Sequence, residues 1–200
     1  MPALDQPYLD TLAQRLSAIG TRLAPGLSEA ELAAAEGEFD VRFPDDLRQV
    51  LQAFLPLDPP ERTQRPRWPN WRDGPVEVLR ARLAWPWDGI AFDLEHTDVW
   101  LPAWGPRPVS SEERIDVARR LYEAAPRLVP IFAHRYISAE PPLAGNPVLS
   151  VYQMDIVYYG LDLVGYFQAE FKVPAPAWAA TRARPIRYWD DLLGALEPDP

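Results

Sequence analysis

The amino-acid sequence predicts an α+β fold. Apolar residues recur at helical spacing in the first 55 residues, whereas residues 128–159 are rich in β-branched and aromatic residues, and a further helical pattern follows them. Helices and strands that occupy separate parts of a chain are typical of this class. With 200 residues, the chain is long enough to bury a core without a disulfide or a metal.

Three short helices are predicted before residue 55. Residues 8–19 place apolar side chains three or four positions apart, which is one face of an amphipathic helix. Ser28 and Glu31 have the spacing of a capping box, so a second helix is expected to begin there and to run to about Phe39. Pro44 stands where a third helix should begin, and two acidic residues follow it.

Residues 55–75 are predicted to form a long ordered loop, because their prolines remove amide donors and fix φ. Arginines alternate with tryptophans in this loop, a composition that serves internal packing, protein contact or the stacking of nucleic-acid bases. The candidate partner-binding residues in it are Arg62, Arg65, Arg67, Trp68, Trp71 and Arg72. Three acidic residues of the first third are added to these candidates: Glu36, Asp40 and Asp45.

The region between this loop and residue 110 is predicted to change from helix to strand. A helix is expected from Val76 to about Leu83, a turn at residues 85–89, and a half-buried strand at residues 90–95. Four residues near the end of this region could be metal ligands. They are interpreted as part of an exposed turn, because the sequence around them lacks the glycine that shapes a cation-binding loop. They are Asp93, Glu95, His96 and Asp98.

The last part of the chain is predicted to contain a helix, three strand-like segments and two more helices. The helix covers residues 111–125, and the strand-like segments are residues 128–137, 147–152 and 156–159, whose tyrosines, Tyr152 among them, are expected to lie in the core. Asp162 has the position of a cap for the next helix. Residues 188–193 are apolar enough for a short packed helix.

The composition excludes several classes of chemistry. The chain has no cysteine and two histidines, which excludes disulfides, zinc–thiolate sites, thiol catalysis and a histidine-rich metal site. It has no apolar run of the length of a membrane span and no signal-peptide pattern at its start, so a cytoplasmic protein is expected. The net charge of −9 disfavours nucleic-acid binding; it either keeps the protein soluble, which is the favoured interpretation from composition alone, or attracts a basic protein.

Motifs of common enzymes are absent from the sequence, including the nucleophile elbow, the phosphate-binding loops and the zinc-protease helix. One catalytic alternative is a hydrolase in which His134 is the base and Asp155 orients it. His134 lies in a strand-like segment, where a histidine hydrogen-bonded within the sheet is the favoured interpretation, and Asp155 has the position of a turn carboxylate.

Several blocks of the sequence resemble the SUKH superfamily, which includes a fungal cell-wall-synthesis regulator and many bacterial immunity proteins. The blocks are Phe43-Pro44 with its following helix, Trp85-Pro86, residues 89–93, residues 100–108, His134-Arg135-Tyr136-Ile137, residues 145–153 and residues 155–160. The similarity covers about residues 27–172. One departure is Ser138, where the similar bacterial subgroup often has proline.

The resemblance implies a central, mainly antiparallel sheet flanked by N-terminal and C-terminal helices. It divides the chain into an N-terminal extension (residues 1–26), a SUKH-like domain (27–173) and a tail (174–200). It also implies a non-enzymatic protein-binding domain that neutralises a cognate toxin, often a nuclease, and the acidic balance suits a basic toxin. No cofactor, metal, nucleic acid or membrane is expected, and the protein is expected to be a monomer or weak dimer. The alternatives are the hydrolase and a regulatory scaffold without a toxin.

Overall fold

The computed structural model describes residues 2–61 and 67–193; four of its strands follow one another without an intervening helix, and two short strands lie among the N-terminal helices. The helices are α1 (Gln6–Ala18), α2 (Glu29–Phe39), α3 (Asp45–Ala53), α4 (Val76–His96), α5 (Ser111–Glu123), α6 (Leu163–Phe171) and α7 (Trp189–Leu192). The strands are β1 (Arg22–Pro25), β2 (Phe54–Leu57), β3 (Leu128–Phe132), β4 (Arg135–Ser138), β5 (Val148–Tyr152) and β6 (Asp155–Gly160). The predicted α+β class is confirmed.

The larger sheet contains four strands in the order β3-β4-β5-β6, and each strand pairs antiparallel with the next one along the chain. Both faces of this sheet are covered. Val129, Ile137 and Val148 face a hydrophobic cluster that also contains residues of α1, α2, α3 and α6. The neighbouring Leu128 and Tyr136 face a second cluster, with residues of α4, α5 and α7. Successive strand residues point to opposite faces, so the sheet lies between the two clusters.

The three N-terminal helices form where the sequence places them. The Ser28 hydroxyl accepts from the Glu31 amide, and the Glu31 carboxylate accepts from the Ser28 amide, which completes the capping box of α2. Pro44 precedes the first residue of α3, as predicted. One detail differs: α1 ends before Ile19, whose side chain is exposed rather than part of the apolar face.

The predicted turn and strand in residues 85–95 are wrong, because α4 continues through Pro86. Proline cannot donate to the carbonyl of Arg82, four residues earlier, but the Tyr136 hydroxyl donates to that oxygen at 2.8 Å. The alternating pattern that suggested a strand also places Ile90 and Leu94 four residues apart, and both are buried on one side of the helix. Gly89 therefore lies inside a helix and not in a turn.

Two further local predictions need correction. Residues 54–57 form β2, which pairs with β1 in a separate two-stranded sheet, so the predicted loop begins later than expected. Pro56 is tolerated there because a two-stranded sheet has only edge strands. His134 does not lie within a strand, because Ala133 takes a left-handed conformation and the two residues form the turn between β3 and β4.

The first and the last described helices pack on the central part. Leu12 and Leu16 of α1 belong to the same cluster as Phe167 of α6. Trp189 of α7 belongs to the second cluster, and its indole donates to the carbonyl of Pro126 at 2.7 Å. The division into residues 1–26, 27–173 and 174–200 stays a prediction.

Candidate functional site

The two tryptophans of the predicted binding loop are core residues. Trp71 is buried and makes edge contacts with Phe39 and Phe43, at ring-centroid distances of 5.7 and 5.1 Å. Trp68 is buried against Phe132, with centroids 4.5 Å apart. The composition left internal packing, protein contact and base stacking open, and the burial of both rings agrees with internal packing. Neither ring is available at the protein surface.

Arg72 joins the same loop to the first third of the chain. Its guanidinium contacts the Glu31 carboxylate at 2.5 Å and donates to the carbonyls of Pro25 and Gly26, at 3.1 and 2.8 Å. The hydrogen bond from Arg72, followed by those from Ser28, lowers the pKa of Glu31 to about 2. These contacts make Arg72 a structural link between α2 and the loop.

Arg67, like Arg72, is exposed. Its guanidinium lies over the ring of Phe132, 5.1 Å from the centroid, and its Nε is 4.0 Å from the Asp58 carboxylate. Arg62 and Arg65 lie outside the described residues. Of the four arginines that the sequence singled out, the two described ones are therefore exposed, and the guanidinium of Arg72 is already engaged by Glu31 and two main-chain carbonyls.

The three acidic candidates have different environments. Glu36 is buried and binds Arg48 at 3.0 Å, so it stabilises the packing of α2 against α3. Asp40 is exposed in a left-handed conformation at the end of α2 and pairs with Arg127 at 2.8 Å. Asp45 is exposed in the first turn of α3. The fold thus leaves Asp40 and Asp45 accessible, and it uses Glu36 internally.

Two shallow grooves, of about 420 and 470 Å³, lie beside the connection from α5 to β3 and share Arg127 on their rim. The arginines of the first groove are paired with acids of the chain: Arg80 with Glu38 at 2.6 Å, Arg119 with Glu123 at 3.8 Å, and Arg127 with Asp40 at 2.8 Å. Because these charges are balanced by the chain, the first groove does not single out an anionic or a cationic ligand.

The histidine and the carboxylate of the hydrolase alternative are not brought into hydrogen-bonding contact. His134 is half-buried in the turn before β4, and burial, followed by the charge of Arg135, lowers its pKa. Asp155 is exposed at the start of β6. Among the described residues, no hydrogen bond joins the two side chains, and neither lines the two grooves.

The possible metal ligands near the end of α4 do not converge. Asp93 is buried and accepts a hydrogen bond from the Met154 amide at 2.9 Å. Glu95 and His96 are exposed on the helix, and Asp98 pairs with Arg107 after it. Across residues 2–61 and 67–193, no three acidic or histidine side chains are grouped so that they could hold a metal ion.

Three exposed aromatic side chains form a surface that the sequence did not single out. Trp85 and Phe92 lie seven residues apart on α4, and each is 47% exposed. Tyr152, at the end of β5, is 58% exposed, and its ring centroid is 6.5 Å from that of Trp85. We call Trp85, Phe92 and Tyr152 the aromatic face. Tyr152 had been expected in the core, but it is the last residue of its strand and lies beyond the buried part of the sheet.

The aromatic face lies on a fixed support of helix and hairpin. The Trp85 indole donates to the carbonyl of Val151 at 3.3 Å, and Asp93 holds the β5–β6 turn through the Met154 amide. Gly89 lies so close to this turn that a Cβ there would be 2.7 Å from the Cα of Gln153. Helix and turn thus meet backbone to backbone beneath the exposed rings, which limits the motion of one against the other.

Acidic side chains surround the aromatic face. Asp88 and Glu95 are exposed on α4, three residues from Trp85 and from Phe92 respectively. Asp155 is exposed and lies directly opposite Tyr152 in the β5–β6 pair. The surface therefore combines accessible aromatic rings with carboxylates, the residue types that bind cationic groups. This surface is not predicted from the sequence, because residues 85–95 are interpreted there as a turn and a strand. Only in a helix does a spacing of seven residues place Trp85 and Phe92 on the same face.

Comparison with known proteins gives no relative: the chain matches no family model, no curated protein and no solved structure. Among the described residues, no helix has both the length and the apolar character that crossing a membrane requires. The fold and the surfaces therefore carry the functional argument.

Proposed function

We propose that this chain is a non-enzymatic protein-binding domain of the immunity type that the SUKH resemblance implies, and that it neutralises a basic toxic protein by covering part of its surface. The observation that carries the proposal is the exposure of Trp85, Phe92 and Tyr152 on a fixed support. Aromatic residues are enriched among those that dominate protein-binding energy, and a support that needs no ordering lowers the entropic cost of association.

The charge of the chain supports a basic partner. The net charge of −9 accelerates the encounter with a positively charged protein and repels the phosphates of nucleic acids. Trp68 and Trp71, which could have stacked bases or met a partner, are buried. The hydrolase alternative has no comparable support, because His134 and Asp155 are not in contact among the described residues.

Co-expression tests this proposal. The chain is produced together with each protein that is encoded by the genes flanking its own and that arrests growth when expressed alone. We expect one of these proteins to lose its toxicity and to co-purify with the chain in a stoichiometric complex. Trp85→Ala and Tyr152→Ala should lose both effects while the circular dichroism spectrum of the chain is kept.

Val109→Ala is the matched control, because the Val109 side chain is fully exposed on the loop before α5 and lies outside the aromatic face. It should rescue growth as well as the original chain does. Failure to rescue growth with every such protein, or the absence of any growth-arresting protein among the flanking genes, would contradict the immunity function. Rescue that is lost in His134→Ala but kept in Trp85→Ala would favour the catalytic alternative.

A further inference from the structure

We propose that the aromatic face binds a cationic segment of the partner, with arginine or lysine side chains on its rings and beside the carboxylates of Asp88, Glu95 and Asp155. This inference rests on the proposed protein-binding function and names the chemistry that the same surface recognises. The interaction is non-covalent, and its specificity comes from the combination of exposed rings with surrounding acids.

The Trp85 ring is open to cations, whereas the Phe92 ring is stacked on the imidazole of His96, with centroids 4.2 Å apart. Elsewhere in the chain, arginines already cover aromatic rings: Arg119 lies 4.3 Å from the centroid of Trp87, and Arg135 lies 3.7 Å from that of Tyr159. In the described part of the chain, no such cation lies over Trp85. A guanidinium supplied by another protein therefore meets an uncovered ring, and this contact gains strength when the interface excludes water.

The carboxylates of this surface differ from those beside the grooves. Asp88 and Asp155 form no ion pair with any described residue, whereas Asp40 and Glu123 are paired with arginines of the chain. Glu95 has His96 as its neighbour, 4.0 Å away, a group that is charged only when protonated. A cationic segment would thus supply the counter-charges that the chain itself does not.

A second copy of the chain is the less suitable occupant. In a two-fold symmetric pair, the same patch on both subunits would meet itself, so the carboxylates of one subunit would face an equally acidic surface on the other. Like charges brought together in an interface cost several kcal/mol. A basic partner avoids this cost and turns the same carboxylates into favourable contacts.

The test uses hexa-arginine as the probe and the full chain labelled with ¹⁵N. We expect the peptide to shift the indole resonance of Trp85 and the amide resonances of residues 152–155, and we expect hexa-glutamate to shift neither. Added salt should weaken the binding, because exposed charges are screened. The triple variant Asp88→Asn, Glu95→Gln, Asp155→Asn and the single variant Trp85→Ala should each weaken binding at least about tenfold.

The matched control is the triple variant Asp10→Asn, Glu112→Gln, Asp116→Asn, which changes the net charge equally at exposed acids outside the aromatic face. It should keep the affinity within about twofold, the range typical of substitutions outside a hot spot. Equal weakening by both triple variants, or the largest shifts at residues 40–45, would overturn the inference. A concentration-dependent dimer that Trp85→Ala abolishes, seen by sedimentation, would overturn it in favour of self-association.

Failure of this inference is distinguishable from failure of the proposed function. If the chain rescues growth while hexa-arginine shifts other residues, the protein-binding function stands and the surface is wrong. If no flanking protein is neutralised while the peptide binds the aromatic face as expected, the surface stands and the immunity function is wrong.

Discussion

The hydroxyl of Tyr136 in β4 donates a hydrogen bond to the main-chain carbonyl of Arg82 in α4, over 2.8 Å. That carbonyl lies four residues before Pro86, which has no amide hydrogen to donate within the helix. Tyr136 is buried, so an unpaired carbonyl at this place would be costly. The sheet thus supplies the donor that the helix lacks, and α4 continues past Pro86 to place Gly89 and Asp93 against the β5–β6 turn.

Replacing Tyr136 tests this relationship. Tyr136→Phe should lower the free energy of unfolding by about 1–2 kcal/mol, because it leaves the Arg82 carbonyl without a donor. In a Pro86→Ala background the cost should be smaller, since residue 86 then has an amide that can donate to the same oxygen. Urea denaturation of the four proteins in a double-mutant cycle measures the coupling. An equal cost of Tyr136→Phe in both backgrounds would contradict the compensation.

A pair of glycine substitutions tests the close approach beneath the aromatic face. Gly89→Ala should lower the free energy of unfolding by about 1–3 kcal/mol, because its Cβ would come within 2.7 Å of the Cα of Gln153. The control is Gly37→Ala in α2, where a Cβ meets nothing within 4 Å; it should stabilise the protein by about 0.5–1 kcal/mol. Thermal denaturation of both variants gives the comparison, and a stable Gly89→Ala variant would contradict the contact.

The elements that the sequence predicts correctly depend on residues that are neighbours in the chain. The capping box of Ser28 and Glu31 acts over three residues, so its pattern alone locates the start of α2. The continuation of α4 depends on Tyr136, which is 54 positions from Arg82 and invisible to any local pattern. The turn that separates His134 from a strand depends on the left-handed conformation of Ala133, a residue type that gives no signal for it.

The candidate site was harder to predict than the fold, because cores and interfaces use the same aromatic residues. Trp71 follows an arginine-rich run that resembles a binding loop, yet it packs between Phe39 and Phe43. Trp85 and Phe92 could be assigned to one surface only after the structure showed that both lie on α4. Composition left internal packing, protein contact and base stacking open for the tryptophans, and tertiary contacts decided which of these rings are exposed.

Substitutions in the predicted loop of residues 55–75 should distinguish a buried packing residue from an exposed one. Trp71→Ala should lower the free energy of unfolding by about 3–5 kcal/mol, the usual cost of removing a buried aromatic side chain. Arg67→Ala, at an exposed position in the same loop, should change it by no more than about 0.5 kcal/mol. Urea denaturation of both variants provides the test. A Trp71→Ala variant as stable as Arg67→Ala would show that the ring is not a core residue.

Asp46 should make the stability of the protein depend on pH. Its buried carboxylate accepts from the amides of Leu47 and Gly145, each at 2.9 Å, and burial outweighs these bonds and raises its pKa to about 6. The unfolded chain has a pKa near 3.9 at this residue, so between about pH 4 and pH 6 the folded state binds more protons than the unfolded state. The contribution of Asp46 to stability is therefore complete below about pH 4 and is lost as the pH rises to about 6 and beyond.

Asp46→Asn removes this titration and provides the comparison for measuring it. The free energy of unfolding of the original chain, minus that of the variant, should fall from pH 4 to pH 6.5 by about 2 kcal/mol, with a slope of at most about 1.4 kcal/mol per pH unit. Urea denaturation at half-unit intervals of pH measures the difference. If it stays constant or rises across this window, the carboxylate is ionised throughout in the folded state. The bond from the Gly145 amide, and not burial, would then dominate at this residue.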